Sequence, residues 1–526
     1  MTESIFLRNS SGLVKTAKPF DVLIFNLGLI SVGIAVTLGH FFIPANYTGA
    51  DLVIAEVIAG IFMAVIAFAF WCWTSAIPRS GGVYSFVSRG VHPLVGFGVS
   101  FIDSTVWLFY NTFAATFLVT IGIAPALFYL GVSTDNQTLQ SLAINLQEPV
   151  YLFIIASLAI IVSGYLLIQG MKAFFVFQKI MFTIAIIGTV TAIYVLMNST
   201  AEGFQVSFIA SYSSYIDNPI QTIQAYSTDQ YTYSFKMTVL AAVWPILSFV
   251  GSIFSVNIAS EIQNVRKAQF FGMFGSIVLA IILMTLLSHN LNKVVTPEFQ
   301  AALSNYYFSK EGANLPLAPY FSVLAAVVTQ SPILIILICL GFFSWAFLWI
   351  PATLTYSARA VLAWSFDRIA PASLGFVHPQ KFTPVNAIIT VVIANLVFLV
   401  LFLFVPFFNS LILVLAAMLA WIPVMIGAII FPYRKKSMYK ETEISKYEPW
   451  GIPLISIAGF FGLLAVATLS VFLLFDEVAT GPIIQSIGTI LVLFTVAVVW
   501  YYTVKNIRKK KENIDISRAF DEIPID

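Results

Sequence analysis

The chain contains twelve apolar runs that are each long enough to cross a membrane as a helix. Such a helix needs about 20 mostly apolar residues. Of the 526 residues, 59% are hydrophobic and 10% are charged, which is far from the balance of a soluble globular domain. We therefore expect an all-α polytopic membrane protein. The runs lie at residues 20–43, 52–76, 94–130, 150–169, 173–197, 238–260, 270–288, 330–356, 385–404, 407–432, 452–475 and 483–504.

The distribution of lysine and arginine predicts how these runs are oriented. Cytoplasmic connections of membrane proteins are enriched in both residues. When the N-terminus is placed inside, all but three of the 26 lysines and arginines fall on the cytoplasmic side, the exceptions being Lys236, Lys293 and Lys310. The sequence therefore predicts a multi-pass protein of the cell (plasma) membrane with both termini in the cytoplasm. The net charge of +2 gives no reason to expect a nucleic-acid partner.

Two of the runs are interrupted near their middle by small residues. The first run contains Ser31-Val32-Gly33, and the sixth contains Val250-Gly251-Ser252. The interruptions are five helices apart, which suggests two repeats of five helices with the second inverted in the membrane. Paired interruptions in an inverted repeat are the best sequence indication of a transporter site. The alternative is that the small residues only allow close helix packing.

A break in a spanning helix frees backbone groups that cannot be left facing lipid. The freed amides suit a carboxylate, and the freed carbonyls suit an ammonium group or a metal cation. Two breaks side by side would therefore hold both ends of an amino acid. The predicted substrate-binding residues are Ile30, Ser31, Val32, Gly33, Ile34, Phe249, Val250, Gly251 and Ser252.

Four stretches, in this order, resemble the amino acid–polyamine–organocation (APC) superfamily. They are GLISVGIAV at 28–36, PRSGGVYSFVSRG at 78–90, FVGSIFSVNIASEIQNVRKA at 249–268 and YSARAVLAWSFDRIAPASLGFVHPQKFTPVNAI at 356–388. The resemblance implies the LeuT-type fold of that superfamily, a 5+5 inverted repeat, here with two further C-terminal helices. It also implies transport around the two breaks.

This fold divides the chain into seven segments. The first repeat is predicted at 20–197 and the second at 238–432, joined by an extracellular loop at 198–237. The remaining segments are a cytoplasmic N-tail at 1–19, a cytoplasmic loop at 433–451, helices 11 and 12 at 452–504, and a cytoplasmic C-tail at 505–526. The long outside segments 198–237 and 289–320 are expected to hold short helices over an entrance.

Asp103 is the one acidic residue well inside an apolar run, which makes it the main candidate for ion coupling. A proton needs a titratable group that changes environment during the cycle, and we expect Asp103 to be that group. The alternative is sodium, which in this fold needs carbonyls from the first break and hydroxyls from the eighth helix. Ser344, Thr353 and Thr355 are the hydroxyl candidates.

Other charged residues are candidates for coupling or gating. Some superfamily members carry a lysine midway along the fifth helix, and the aligned position here is near Ala185. Lys179 lies closer to the cytoplasm and is expected either to act in coupling or to reach the inner interface. Glu261 and Arg266, with Asp367 and Arg368, offer ion pairs that would close an inner gate. Alternatively, they are exposed pairs worth under about 1 kcal/mol.

Two further acids, Asp51 and Glu56, are expected at a solvated outer rim of the second helix. The four histidines lie near helix ends or in loops by the predicted boundaries, and neither metal-ligand spacing nor a Ser/His/Asp set is evident. An intramembrane enzyme is therefore disfavoured, and no cofactor is expected. The histidines are His40, His92, His289 and His378.

These features predict a secondary active transporter that works by alternating access. Its substrates would be amino acids or related amines. The apolar residues Val32, Ile246, Phe249 and Val250 around the breaks favour a neutral amino acid. No ATP-binding motif is present, so a proton or sodium gradient, or exchange, must supply the energy. A sodium-coupled transporter or a nutrient sensor on the same fold are the alternatives. The expected partners are the substrate, a proton or sodium ion, and the lipid bilayer.

Overall fold

A computed structural model describes residues 12–227, 232–409, 411–513, 516 and 520. Within these residues twelve helices are long and apolar enough to cross a membrane, as predicted. We number them as spans in chain order and use "inner" and "outer" according to the predicted orientation. The spans are Pro19–Asn46, Leu52–Ala76, Pro93–Ser133, Pro149–Ile168, Met171–Met197, Phe235–Glu261, Val265–Val294, Pro332–Phe366, Val385–Phe404, Val414–Arg434, Leu454–Phe475 and Ile483–Glu512.

Several spans extend beyond their apolar runs. Span 3 has 41 residues and contains a π-helical segment, Leu118–Ile123. Span 8 continues to Phe366 because polar residues of its last turns, such as Arg359, are buried against protein. Span 12 continues to Glu512, so the predicted C-tail begins within a helix. Residues 1–11 of the predicted N-tail and most of the chain after 513 lie outside the described residues.

Short helices lie between the spans on both the outer and the inner side of the bundle. The predicted helices in the two long outside segments are present, and others cover the connection between spans 3 and 4 and the inner connection between spans 2 and 3. The short helices of at least six residues are Gly82–Gly90, Gln137–Asn145, Ala201–Tyr212, Pro219–Gln224, Pro297–Phe308 and Phe321–Val327.

Helix contacts follow the predicted 5+5 repeat. Span 1 packs on span 7, and span 6 packs correspondingly on span 2. Span 3 packs on span 10, and span 8 packs correspondingly on span 5. Spans 1 to 5 thus correspond to spans 6 to 10 in order. Replacing each span of a contact by its counterpart converts the contact between spans 1 and 7 into that between spans 6 and 2, and the contact between spans 3 and 10 into that between spans 8 and 5. Spans 11 and 12 lie outside the repeat, span 11 against span 10 and span 12 against span 3.

The periphery of the bundle is apolar, as a lipid-facing surface requires. On span 4, Ile154, Leu158, Ile161 and Tyr165 are each at least half exposed on one face. An exposed apolar face of this length would not be stable in water. By contrast, span 1 is almost entirely buried at the centre of the bundle, which places its break inside protein rather than against lipid.

Both broken spans change their backbone where small residues interrupt the sequence. In span 1, helix Pro19–Ile30 ends and helix Val32–Asn46 begins on either side of Ser31. Ser31 adopts the left-handed conformation, with φ 48° and ψ 75°, which few residues other than glycine adopt. In span 6, the α-helix Val243–Phe249 gives way at Val250 to 3-10 helix that runs to Glu261 with a kink at Ile258, where φ is −102° and ψ is 15°. A 3-10 segment inside a spanning helix is typical of a hinge.

Candidate substrate and coupling site

The breaks of spans 1 and 6 lie in direct contact. A β-carbon added to Gly251 would stand 2.2 Å from the carbonyl carbon of Leu29 and 2.3 Å from the amide nitrogen of Ile30. No side chain fits at that distance, so only glycine allows the two backbones to approach so closely. The inner halves are joined as well, because the Ser255 amide donates to the Asn26 side chain at 3.0 Å.

The break in span 1 leaves backbone groups available for a ligand. Helix Val32–Asn46 begins without a side-chain cap, so its first amides have no acceptor within the helix. Those amides and the helix dipole suit an anionic group. The preceding helix ends at Ile30 and contributes free carbonyls that suit a cation. These are the two ends that an amino acid presents.

Ser31 and Gly33, which were predicted to contact the substrate, contact span 8 instead. The Ser31 hydroxyl donates to the Trp345 carbonyl at 3.0 Å, and a β-carbon on Gly33 would lie 2.9 Å from the Trp345 ring. Both residues therefore attach the break to span 8. For Gly33, this is the close-packing alternative that the sequence left open.

An apolar cavity of about 180 Å³ lies on the outer side of the breaks. Ile34 is the one predicted substrate residue that lines it. Val32, Phe249, Val250, Gly251 and Ser252 are buried and do not line it. The cavity is lined by Ile34, Leu38, Phe42, Trp107, Tyr110, Phe113, Ala114, Phe117, Trp244, Leu247, Ser248, Trp349, Leu411, Ile412, Val414 and Ala479.

Aromatic residues form much of this lining, and the sequence analysis missed them. They come from spans 1, 3, 6 and 8, so only the folded chain brings them together. Trp349 is the most informative, because its indole N–H is buried and has no hydrogen-bond partner among the described residues. A buried donor without a partner is costly, and here it is available to a ligand. The abundance of Trp and Tyr in spans 3 and 8 was the available signal.

Asp103 lies beneath this cavity as a buried acid with three neutral partners. The indole N–H groups of Trp107 and Trp421 donate to its Oδ1 at 3.1 and 3.2 Å. The Tyr356 hydroxyl donates to Oδ2. Trp107 also lines the cavity, so it connects the cavity directly to the acid. Below it, Phe254 of span 6 stacks on the Tyr356 ring with centroids 4.4 Å apart.

The predicted sodium ligands do not converge. The hydroxyls of Ser344 and Thr355 donate to carbonyls within their own helix, at 2.8 Å each. The Thr353 hydroxyl is buried without a partner among the described residues. Where span 8 approaches span 1, the apolar Leu348 faces Gly28, with the neutral Gln178 beside them. Sodium needs several oxygen ligands, so this arrangement does not favour it.

Buried ion pairs close the inner side, but not in the predicted pairing. Glu261 pairs with Arg359 at 2.7 Å, and Asp367 pairs with Arg89 at 2.7 Å. All four side chains are at most 2% exposed. The predicted partners Arg266 and Arg368 lie elsewhere. The prediction was wrong because it paired residues by their nearness to the ends of spans, whereas both true cations are buried within helices.

The remaining predicted gating residues lie at the inner surface. Arg266 lies over the Tyr447 ring, 4.4 Å from its centroid, and near Trp71. Lys179 pairs with Asp21 at 2.7 Å while almost half exposed. The Lys179 pair joins spans 1 and 5 at their inner ends, far from the cavity lining. The Asp21 partner of Lys179 is buried, so solvent screens this pair from the Lys179 side only.

The 78–90 motif contacts the inner halves of spans 6 and 8. Its Gly81 amide donates to the Asn257 carbonyl at 3.2 Å, and the Tyr84 hydroxyl donates to Asp367 at 2.7 Å. Burial, and then the neighbouring Asp367 charge, raise the pKa of Tyr84 well above its ordinary value. Tyr84 thus remains a hydrogen-bond donor to the Arg89–Asp367 pair.

Asp51 and Glu56, both expected at a solvated outer rim, differ in their exposure to solvent. Asp51 is partly exposed and accepts a hydrogen bond from the Ile54 amide at the start of span 2. Glu56, expected at a solvated rim, is 1% exposed, and His40 is buried inside a helix rather than at its end. The rim prediction is wrong for Glu56 because span 2 turns this residue towards spans 1 and 7. Among the described residues, no three His, Cys, Asp or Glu side chains are grouped so as to hold a metal.

Residues 20–513 match the family model described as amino acid permease. Two proteins are similar over shorter stretches. Uncharacterized protein 399 of Sulfolobus islandicus rod-shaped virus 1 is 25% identical over 290 residues, which are 54% of this chain and 59% of that protein. The methylthioribose transporter of Bacillus subtilis (strain 168) is 36% identical over 78 residues, 15% of this chain and 16% of the transporter. The chain thus spans less than two thirds of either relative.

Proposed function

This chain belongs to the amino acid permease family, and we propose that it carries a neutral amino acid across the plasma membrane, coupled to protons. Transport proceeds by alternating access. Both termini lie in the cytoplasm, in keeping with the positions of lysine and arginine. The observation that carries the proposal is the contact of the two broken spans beside an apolar cavity.

The backbone of the breaks recognises the part that all amino acids share. The first amides of helix Val32–Asn46 bind the carboxylate, and the carbonyls at the end of helix Pro19–Ile30 bind the ammonium group. Ile34, which lines the cavity, belongs to the first turn of the outer helix. The substrate therefore enters from the cavity and binds across the break.

The cavity selects an uncharged side chain. None of the lining residues carries an ionisable side chain other than the phenol of Tyr110. A lysine or glutamate side chain would lose hydration there without gaining a counter-charge. The aromatic lining offers apolar contact, and the Trp349 N–H offers one hydrogen-bond donor. Large neutral side chains, aliphatic or aromatic, suit this surface best.

Asp103 couples the movement of a proton to that of the substrate. Its carboxylate accepts three hydrogen bonds but has no counter-cation among these partners. A proton arriving through the cavity neutralises the buried charge, which removes the electrostatic cost of enclosing it. When the inner side opens, water reaches the acid and the proton leaves. Sodium coupling is the less favoured alternative because the span 8 hydroxyls do not converge.

A methylthioribose-type substrate is a second candidate. Methylthioribose is uncharged, and one relative is named as its transporter. The apolar cavity without fixed charge is the observation that admits it. An amino acid uses the free amides and carbonyls of the break more fully, so we favour it. A nutrient sensor would bind the same ligands without moving them, and only flux separates the two.

The test uses purified protein in proteoliposomes. A panel of labelled neutral, cationic and anionic amino acids, together with methylthioribose, is offered with an imposed proton or sodium gradient. We expect uptake of a neutral amino acid driven by the proton gradient. Binding without uptake would indicate a sensor. Preferential uptake of a cationic amino acid, or uptake that strictly requires sodium, would overturn the proposal.

Asp103→Asn isolates the coupling step. This variant keeps the shape of the acid but cannot exchange a proton. Gradient-driven accumulation should be lost, while counterflow exchange of the substrate should survive. Asp51→Asn removes an acid at the start of span 2, away from the cavity, and should change neither. An Asp103→Asn protein that still accumulates substrate with unchanged pH dependence would exclude Asp103.

A further inference from the structure

A second buried group of titratable residues lies on the outer side, apart from Asp103. The Ser288 oxygen of span 7 lies 2.6 Å from Glu56 Oε1 of span 2. The Ser288 oxygen lies 3.0 Å from His40 Nε2, and His40 Nδ1 lies 2.7 Å from Gln300 Oε1. All four side chains are at most 2% exposed. We call Glu56–Ser288–His40–Gln300 the outer chain.

The donors and acceptors of the outer chain can be assigned from geometry. The Gln300 amide nitrogen donates to Asn292 Oδ1 at 3.0 Å and to the Val295 carbonyl at 2.6 Å. These two acceptors fix the orientation of the amide, so its oxygen faces His40. An amide oxygen can only accept. His40 Nδ1 therefore carries a hydrogen.

The Ser288 hydroxyl then determines how many protons the outer chain holds. This hydroxyl has one hydrogen and lies between Glu56 and His40 Nε2. If it donates to Glu56, Nε2 must donate to Ser288, and the imidazole is a cation. If it donates to Nε2, Glu56 must donate to Ser288, and the carboxyl is neutral. Both arrangements hold one proton more than a carboxylate beside a neutral imidazole. Without this additional proton, a lone pair of Ser288 would face a lone pair of either Glu56 or His40 Nε2, and the negative charge of Glu56 would be buried without a counter-charge.

We infer that the outer chain is a proton-binding site that holds the outer wall of the cavity closed when it is loaded. Loss of this proton would leave the Glu56 charge needing water. Its second oxygen, Oε2, is buried and has no partner among the described residues. Water can reach the carboxylate only if the elements around it separate. Deprotonation from outside therefore favours separation of these elements, and proton uptake favours their closure.

The outer chain joins the elements that border the cavity. His40 lies on helix Val32–Asn46, which also carries the lining residues Ile34, Leu38 and Phe42. Gln300 lies on helix Pro297–Phe308, which packs against that helix. The Phe42 ring stacks on Trp244 of span 6, with centroids 4.4 Å apart. Separation at His40 would thus move one wall of the cavity relative to its neighbours.

Among the described residues of the neighbouring elements, no cation other than a protonated His40 faces Glu56. Asp51, the acid at the same end of span 2, has the same sign of charge and cannot compensate it. On the His40 side, the Phe321 ring lies 5.3 Å away. The charged residues nearby on the packed elements are exposed, namely His289, Lys293, Glu298 and Lys236. The nearby tyrosines have other partners: Tyr47 binds Asp476 at the outer end, Tyr306 packs edge-on against Tyr226, and Tyr307 packs edge-on against Phe41.

The test measures how open the cavity is, without using transport. Leu38→Cys places a thiol in the cavity wall, and Thr138→Cys places one on an exposed outer helix as the reference. A membrane-impermeant maleimide is applied from outside between about pH 5 and about pH 9, where carboxyl and imidazole groups titrate. The native Cys72 and Cys339 are buried and give little background. Each labelling rate is corrected for the thiolate fraction of its own site, because the two thiols ionise differently. The ratio of the corrected rates then reports opening.

We expect the ratio to rise with external pH, by at most about tenfold per pH unit for one proton. Glu56→Gln keeps a hydrogen-bonding side chain that cannot ionise, so its ratio should stay low and flat. Asp51→Asn should retain the pH dependence. A flat ratio in the parent, or an unchanged pH dependence in Glu56→Gln, would overturn the inference.

Two further variants complete the design. If Glu56→Gln does not yield folded protein, Glu56→Asp withdraws the carboxyl from Ser288 and should displace the midpoint of the pH dependence. An unmoved midpoint contradicts the outer chain. The inference deepens the proposed proton coupling but is separable from it. The Asp103→Asn variant should no longer accumulate substrate, but its ratio of labelling rates should still depend on pH. The coupling role of Asp103 and the proton site of the outer chain can therefore be rejected independently.

Discussion

Arg359 of span 8 donates two hydrogen bonds to the carboxylate of Glu261 at the inner end of span 6, at 2.7 and 3.1 Å. Both side chains are buried. The pair joins the two spans directly beneath the stacked rings of Phe254 and Tyr356. A transporter that opens inwards must separate these residues, so their attraction opposes opening on that side.

Removing the Glu261 charge should favour the inner-open state. Glu261→Gln leaves a buried guanidinium without its counter-charge, and breaking a buried pair costs about 3 kcal/mol or more. Ser260→Cys, beside Ser80 in the closed protein, reports opening to a thiol reagent in inside-out vesicles. Its labelling should rise at least about tenfold in the Glu261→Gln background.

The matched control is an exposed pair. Arg508→Gln removes the i,i+4 partner of Glu512 on the surface of span 12 and leaves Glu512 beside Arg368, and such a pair contributes only about 0.3–0.5 kcal/mol. Labelling of Ser260→Cys should not change in this background. Equal labelling in the Glu261→Gln and Arg508→Gln backgrounds would show that the buried pair does not hold the inner side closed.

Gly251→Ala should disrupt the contact between the two breaks. The added methyl would overlap the Leu29 backbone, and backbone cannot rotate away as a side chain can. Overpacking of this kind costs about 1–3 kcal/mol, so we expect a lower apparent Tm and reduced substrate binding. Gly488→Ala in span 12 is the control, because nothing lies within 4 Å of its added β-carbon. A normal Tm and normal binding in Gly251→Ala would place the site elsewhere.

The positions of the spans and breaks could be predicted because each is encoded locally. Apolar runs of sufficient length define spans, and the small residues at 31–33 and 250–252 mark where the helices change. The role of each small residue could not be predicted. Gly33 packs on Trp345 and Gly251 packs on Leu29, and neither partner is near in sequence.

The ion-pair partners of individual side chains could not be predicted from the sequence for the same reason. Glu261 and Arg359 are 98 residues apart, and Asp367 and Arg89 are 278 apart. Which helical face carries each residue, and which span that face meets, follows from packing of the whole bundle. Glu56 illustrates this dependence. Its position near a helix end suggested solvent, but burial by spans 1 and 7 decided its environment.

Tyr84→Phe should reduce the loss of stability at high pH. Burial and the nearby Asp367 raise the pKa of Tyr84 in the folded protein, whereas an unfolded tyrosine titrates near about 10. The stabilisation by the neutral phenol is therefore complete below about pH 10, and it is lost as pH rises towards the folded pKa. We expect the apparent Tm of the parent to fall above about pH 10, and that of Tyr84→Phe to fall less steeply.

Tyr194→Phe supplies the comparison, because Tyr194 is 59% exposed on span 5. Its alkaline Tm profile should match that of the parent. At neutral pH, Tyr84→Phe should lower stability by up to about 1.5–3 kcal/mol, since it removes one hydrogen bond to a charged group. Identical alkaline profiles for Tyr84→Phe and the parent would contradict this account of the inner closure.

Adding a charge to the cavity should change which substrates compete. Ser248 lines the cavity on span 6, close to the break at Val250. Ser248→Asp places a carboxylate in a lining that otherwise has no permanent charge, and a cationic side chain would then gain a counter-charge. In competition assays we expect lysine or arginine to improve by at least about tenfold relative to neutral amino acids. Ser248→Asn has nearly the same shape without the charge and should keep the parental order of substrates. If Ser248→Asp and Ser248→Asn rank the substrates alike, side chains of the substrate do not reach this cavity, and selection must occur at the breaks alone.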